Sequence, residues 1–84
     1  MFINKTSDGR NNVCGINISK RRKEMKISQR ELADRLQLIG LDVDKNAIQR
    51  IESGQRFITD IEIEYFCKVL GLTLNEIFDI TKQS

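Results

Sequence analysis

The sequence predicts an all-α fold in which five short helices cross to make one compact globule. Three observations carry this expectation. Four helix starts are marked by a capping residue flanked by a pair of aliphatic residues. Three helix stops are marked by Gly40, Gly54 and Gly71. No segment sustains the apolar-polar alternation of a strand.

In chain order, MFINKTSDGRNN is polar from its fourth residue on, so residues 1–11 are expected to form a flexible tail ahead of a domain spanning 12–82. Cys14, Ile18, Arg22 and Met25 recur at spacings of three and four, which predicts a first helix over 13–25 capped by Asn12. Ser28-Gln-Arg-Glu31 has the form of a capping box, with Ile27 and Leu32 as its hydrophobic staple, and opens a second helix over 29–39. Asp44 caps a third over 45–53, stapled by Val43 and Ile48. Thr59-Asp-Ile-Glu62 and Thr73-Leu-Asn-Glu76 repeat the box for helices over 60–70 and 74–81, stapled by Ile58 with Ile63 and Leu72 with Ile77. Short helices joined by short loops cannot all lie side by side, so crossing helices are expected rather than an up-down bundle. The expected core comprises Ile18, Met25, Leu32, Leu36, Val43, Ala47, Ile48, Ile51, Ile63, Phe66, Cys67, Leu70, Leu72, Ile77 and Phe78.

A chain of 84 residues holds one small domain with a modest core, which places function on a surface or with a partner. Its net charge is only +2, but residues 1–56 carry twelve basic and seven acidic side chains, against two and five in 57–84. The densest basic run is Lys20, Arg21, Arg22, Lys23 and Lys26. There is no His, no Pro and no apolar run near 18 residues. A transmembrane helix is thereby excluded, and most catalytic or metal-site readings are unattractive. No cofactor is expected. The N-terminus has no signal-peptide pattern, so the cytoplasm is the expected location. Cys14 and Cys67 fall at apolar helical positions and read as small buried hydrophobes, with a disulfide or metal pair as the alternative.

The third helix raises the functional question. At about 100° per residue, Ala47, Ile48 and Ile51 share one side, while Lys45, Asn46, Gln49, Arg50 and Ser53 fall on the other. A merely solvated face is usually filled with Glu and Lys, because Asn and Ser favour caps and turns over helix interiors. The mixture therefore has either a recognition role or a plain solvated one.

Read together, ISKRRKEMKISQRELADRLQ, VDKNAIQRIESGQRFIT and EYFCKVLGLTLNEIF resemble the Cro and phage-repressor helix-turn-helix family, also called XRE, over about residues 13–80. The resemblance implies a lambda-repressor-like domain. One departure is a lengthened connection between helices two and three: Leu36 and Ile48 enclose eleven residues, about five more than the family pattern. It reads as an extra turn on helix two, with Leu38 and Ile39 continuing the apolar pattern, followed by a Leu41-Asp42-Val43 linker.

The resemblance implies that helix three enters the major groove of double-stranded DNA while helix two crosses the backbone. On this chain the base-facing positions would be Lys45, Asn46, Gln49 and Arg50, whose side chains can pair with guanine or adenine edges. Backbone contacts would come from Ser28, Gln29, Gln55 and Arg56. Arg22 and Glu52 match a family pair that bridges helices one and three. The implied function is a sequence-specific transcription regulator, a repressor, binding a palindromic operator as a homodimer. The C-terminal helix, with Ile77, Phe78 and Ile80, is the expected dimer surface. A protein-binding module such as an antitoxin or anti-regulator subunit is the competing reading. An enzyme is a distant third.

Overall fold

The computed structural model describes residues 5–79. These fold into α1 (Gly15–Glu24), α2 (Gln29–Leu38), α3 (Lys45–Ser53), α4 (Asp60–Leu70) and α5 (Leu74–Ile77), with no strand among the described residues. Helix α3 packs on α1 and α2, α4 packs on the same pair, and α5 closes against α1. Of the eight staple residues, Ile27, Leu32, Val43, Ile48, Ile63 and Ile77 are buried with Phe66 and Leu70, while Ile58 and Leu72 are half-buried against them. Each helix entry is thus tied to the same core that its apolar face fills.

The four start signals act as side-chain caps. Ser28, Asp44, Thr59 and Thr73 each accept from the amide three residues on. Only two of the three boxes close: Glu62 and Glu76 return to the Thr59 and Thr73 amides, whereas the Glu31 carboxylate goes to Arg35 at 2.7 Å, one turn ahead. Helix α1 begins at Gly15, two residues later than expected, with Cys14 rather than Asn12 in the cap position. Asn12 still satisfies an N-terminal donor of α1, its Oδ1 accepting from the Gly15 amide at 2.8 Å.

The end of α1 has no glycine. Lys26 takes the left-handed conformation instead, at φ 60°. The Lys26 amide donates to the Lys23 carbonyl and the Ile27 amide to that of Arg22, which is the bonding of a Schellman motif. Left-handed backbone costs a side-chain-bearing residue about 1–2 kcal/mol. It persists here because Ile27 is anchored in the core and Arg22 Nη1 donates to the Ile27 carbonyl at 2.9 Å.

The lengthened connection follows the same pattern at Gly40, with Leu41 N donating to the Leu36 carbonyl at 3.0 Å. Helix α2 stops at Leu38, the linker is non-helical, and Gln37 Nε2 pins its end by donating to the Val43 carbonyl at 2.8 Å. The apolar pattern does not carry through: Leu38 is 86% and Ile39 44% exposed. The chain has turned away at Gly40, and Leu41 and Val43 supply the inward contacts instead. Phe78 also departs from expectation. Helix α5 ends at Ile77, so Phe78 caps it and is 46% exposed. Ile80 lies outside the described residues.

Gly15 meets the tightest approach. A methyl group there would stand 2.1 Å from the Ile51 carbonyl oxygen, so α1 and α3 touch backbone to backbone. Helix propensity favours alanine over glycine by about 1 kcal/mol, but a backbone collision of this size reverses the sign. Gly15→Ala is expected to destabilise the domain by about 2–3 kcal/mol in urea unfolding. By contrast, Lys26→Gly relieves the left-handed strain and should raise stability by up to about 1 kcal/mol in the same measurement.

Candidate nucleic-acid interface

Helix α3 is fixed on one side and open on the other. Ile48 and Ile51 are fully buried and Ala47 half-buried, while Lys45, Asn46, Gln49, Arg50 and Ser53 are exposed. Asn46, Gln49, Arg50 and Ser53, with Gln55 from the following turn, line one shallow polar depression; Lys45 stands outside it at the first turn. The side chains of Lys45, Asn46, Gln49 and Arg50 have no hydrogen-bond or ion-pair partner among the described residues. Their donors and acceptors are therefore available to an external group.

The two flanks of this face are committed to internal bonds. Arg22 Nε and Nη2 donate to the Glu52 carboxylate at 2.7 and 3.0 Å, with side chains only 11% and 7% exposed. The paired carboxylate holds the Arg22 guanidinium above its ordinary range, against a smaller opposing effect of burial. Gln29 Nε2 also donates to Glu52, at 2.9 Å, so α1, α2 and α3 meet at one carboxylate. Ser28, exposed beside it, uses its hydroxyl oxygen as the α2 cap. In this arrangement Gln29 has a partner within the protein, not a free amide.

Arg56 is engaged in a similar way. Its Nη1 and Nη2 donate to the two Glu62 carboxylate oxygens at 3.2 and 2.8 Å, joining the turn after α3 to the cap of α4. Burial by itself would raise the Glu62 carboxyl. Arg56 and the Thr59 amide outweigh it and hold the group below its ordinary value. Of the residues expected to lie along the DNA backbone, only Gln55 has an exposed side chain without a partner.

Sequence reasoning missed the contribution of residues 10–12. Arg10 Nη2 donates to the Glu52 carbonyl at 2.8 Å, and Asn12 Nδ2 to those of Ile51 and Arg56 at 2.9 and 2.7 Å. Asn11 holds the next turn, its amide on the Gly54 carbonyl at 2.8 Å and its Nδ2 on that of Gln55 at 3.0 Å. Arg10 and Asn11 were expected in a flexible tail, but Arg10 serves carbonyls that α3 leaves orphaned at its C-terminus and Asn11 those of the turn that follows. Gly15, which cannot carry a methyl group against α3, was the one available signal of that contact.

Elsewhere the chemistry is quiet. Both cysteines are free. Burial, with a smaller effect of Cys67, pushes the Cys14 thiol up to about 11, and burial and Glu76 raise that of Cys67, so both remain protonated at neutral pH. Among the described residues no group of His, Cys, Asp or Glu is placed to hold a metal ion, and no helix is long and apolar enough to cross a membrane.

Comparison with known proteins gives one match: a family model described as helix-turn-helix fits residues 18–77. The chain belongs to the Cro/C1-type helix-turn-helix family. No curated protein and no solved structure matches it. Membership makes the chain a DNA-binding regulatory domain. The matched stretch contains Arg22, Glu52 and the whole open face of α3, whereas residues 10–12 precede it.

Two outcomes follow. Glu52→Ala leaves the Arg22 guanidinium buried and unpaired and should cost about 3–5 kcal/mol, much of it recovered in the double variant Arg22→Met, Glu52→Leu. The lowered Glu62 carboxyl gives stability that is present above its ordinary value of 4.5 and is lost as pH falls through its folded-state value. In acid titrations followed by circular dichroism, Glu62→Gln should therefore start less stable and lose less than the parent below that pH.

Proposed function

We propose that this domain is a sequence-specific regulator of transcription, a cytoplasmic repressor, that reads the major groove of double-stranded DNA with α3. The observation that carries this reading is the set Lys45, Asn46, Gln49 and Arg50, unpaired on the open face of a helix whose other face and both ends are held. Arg and Lys donate to guanine O6 and N7, and Asn and Gln pair with adenine N6 and N7, so the four can distinguish base pairs that phosphate contacts cannot. Gln55 is assigned to the DNA backbone, with Ser28 and the N-terminal end of α2 approaching a phosphate. Gln29 reaches that phosphate only by sharing its amide with Glu52, and Arg56 only by loosening its hold on Glu62.

A homodimer on a palindromic operator would place two copies of α3 about 34 Å apart. The dimer surface assigned here is the apolar groove between α4 and α5, where Ile61, Leu74 and Phe78 are 63%, 58% and 46% exposed. Ile77, expected to share in that surface, is fully buried in the core. The second reading, a module that binds a protein partner, is favoured by exposed Leu38 and Ile39 on the lengthened connection.

Binding to duplex DNA as a function of salt separates the readings. The parent should bind with an affinity that falls steeply as salt rises, and Arg50→Ala should lose about 1–3 kcal/mol for a preferred site and relax selection at one base pair. An Arg50→Ala variant that binds that site like the parent, or a parent with no salt-dependent binding to any duplex, would remove DNA reading by α3.

A further inference from the structure

We propose that residues 6–12 are a positioning element of the DNA-reading helix, a clasp that sets the pose of α3 and of the Gln55 turn. This inference rests on the proposed reading of α3. The clasp is itself a built structure. Thr6 and Arg10 close a tight turn through Thr6 N on the Arg10 carbonyl at 2.8 Å and Gly9 N on that of Thr6 at 2.9 Å, with Gly9 at φ 84°. Arg10 N also donates to Thr6 Oγ1, and Thr6 Oγ1 donates to the Asp8 carboxylate. This is the bonding of a type I turn closed by a left-handed glycine.

From that turn, Arg10, Asn11 and Asn12 reach carbonyls of residues 51, 52, 54, 55 and 56 across 39 to 44 residues of chain. The Arg10 guanidinium lies at the negative end of the α3 dipole. Its stem crosses Gly54, where a methyl group would fall 2.8 Å from Arg10 Cζ and 2.9 Å from Cγ. Gly54 is thus needed twice, for its φ of 83° and for the space Arg10 occupies. The clasp touches the backbone of α3 and of the turn bearing Gln55, and none of the side chains assigned to bases. It precedes the stretch matched by the family model, which begins at residue 18. Base readout tolerates little misplacement of a recognition helix, whereas attraction to phosphates depends mainly on charge and tolerates more. The clasp therefore acts on discrimination between sequences more than on affinity for DNA in general.

The test compares full-length parent, Arg10→Met and Asn11→Ala on two duplexes of equal length, one enriched from a random pool by the parent and one of random sequence, with amide exchange measured on the free proteins. Methionine keeps the apolar stem and removes the guanidinium, and Asn11→Ala removes only one side-chain bond. Arg10→Met should weaken binding to the enriched duplex roughly tenfold, the size of one misread base pair. Binding to the random duplex should stay within about twofold with the salt slope unchanged, and the amides of Gln55 and Arg56 should exchange faster. Asn11→Ala should move the same quantities less far. Equal losses on both duplexes, with a salt slope reduced by about one, would make Arg10 a phosphate contact and overturn the proposal. A lower melting temperature with an unchanged ratio between duplexes would overturn it as well. If the parent binds no duplex, the DNA reading fails by itself, and unchanged exchange at Gln55 and Arg56 would then refute the clasp independently.

Discussion

The interaction on which the rest depends is the meeting of three helices at the Glu52 carboxylate. Arg22 from α1 and Gln29 from α2 both donate to it, in a site where the ion-pair side chains are nearly closed to water. A carboxylate buried this deeply is costly unless its lone pairs are filled, and here they are filled by groups that must come from fixed directions. The arrangement contributes orientation more than net stability. It holds α3 at one rotation, so that the apolar row Ile48 and Ile51 faces inward and the unpaired polar row faces out. The backbone approach of Gly15 to Ile51 adds a second fixed point beside it, at the same C-terminal end of the helix.

Charge is distributed accordingly. Arg22, expected to bridge helices one and three, and Arg56, expected along the DNA backbone, are paired with Glu52 and Glu62. Lys45 and Arg50 are not, and they sit on the helix with the most varied polar face. A net charge of +2 is therefore no measure of the local field: Lys45 and Arg50 on α3 and Lys20, Lys23 and Lys26 near α1 keep their charge exposed while Arg22 and Arg56 are paired internally.

Helix starts were legible because caps and staples are local: Asp44, Thr59 and Thr73 need only the next four residues to act. The end of α1 was placed within one residue, but not its means: Lys26 turns left-handed where Ile27 is buried and Arg22 holds the Ile27 carbonyl. Leu38 and Ile39 misled because the last turn of α2 carries Leu38 on the side away from the buried Leu32 and Leu36, and the helix stops before Ile39 can pack inward. The open face of α3 could be read from its spacing. Of its internal supports the Arg22–Glu52 pair came only through the family resemblance, and the others were not legible, because Gln29 and Glu52 are 23 residues apart and Arg10 and Glu52 are 42. Contacts at that range depend on how the helices cross, which no local pattern encodes.

The central claim is that α3 reads base sequence. Selection of bound duplexes from a random DNA pool by the purified protein tests it most directly. The account predicts enrichment of a palindrome whose half-sites lie about one helical turn apart, each with a guanine or adenine that becomes dispensable when Arg50 or Asn46 is replaced by alanine. Recovery of unenriched sequence, or of a motif that both alanine variants select unchanged, would contradict it.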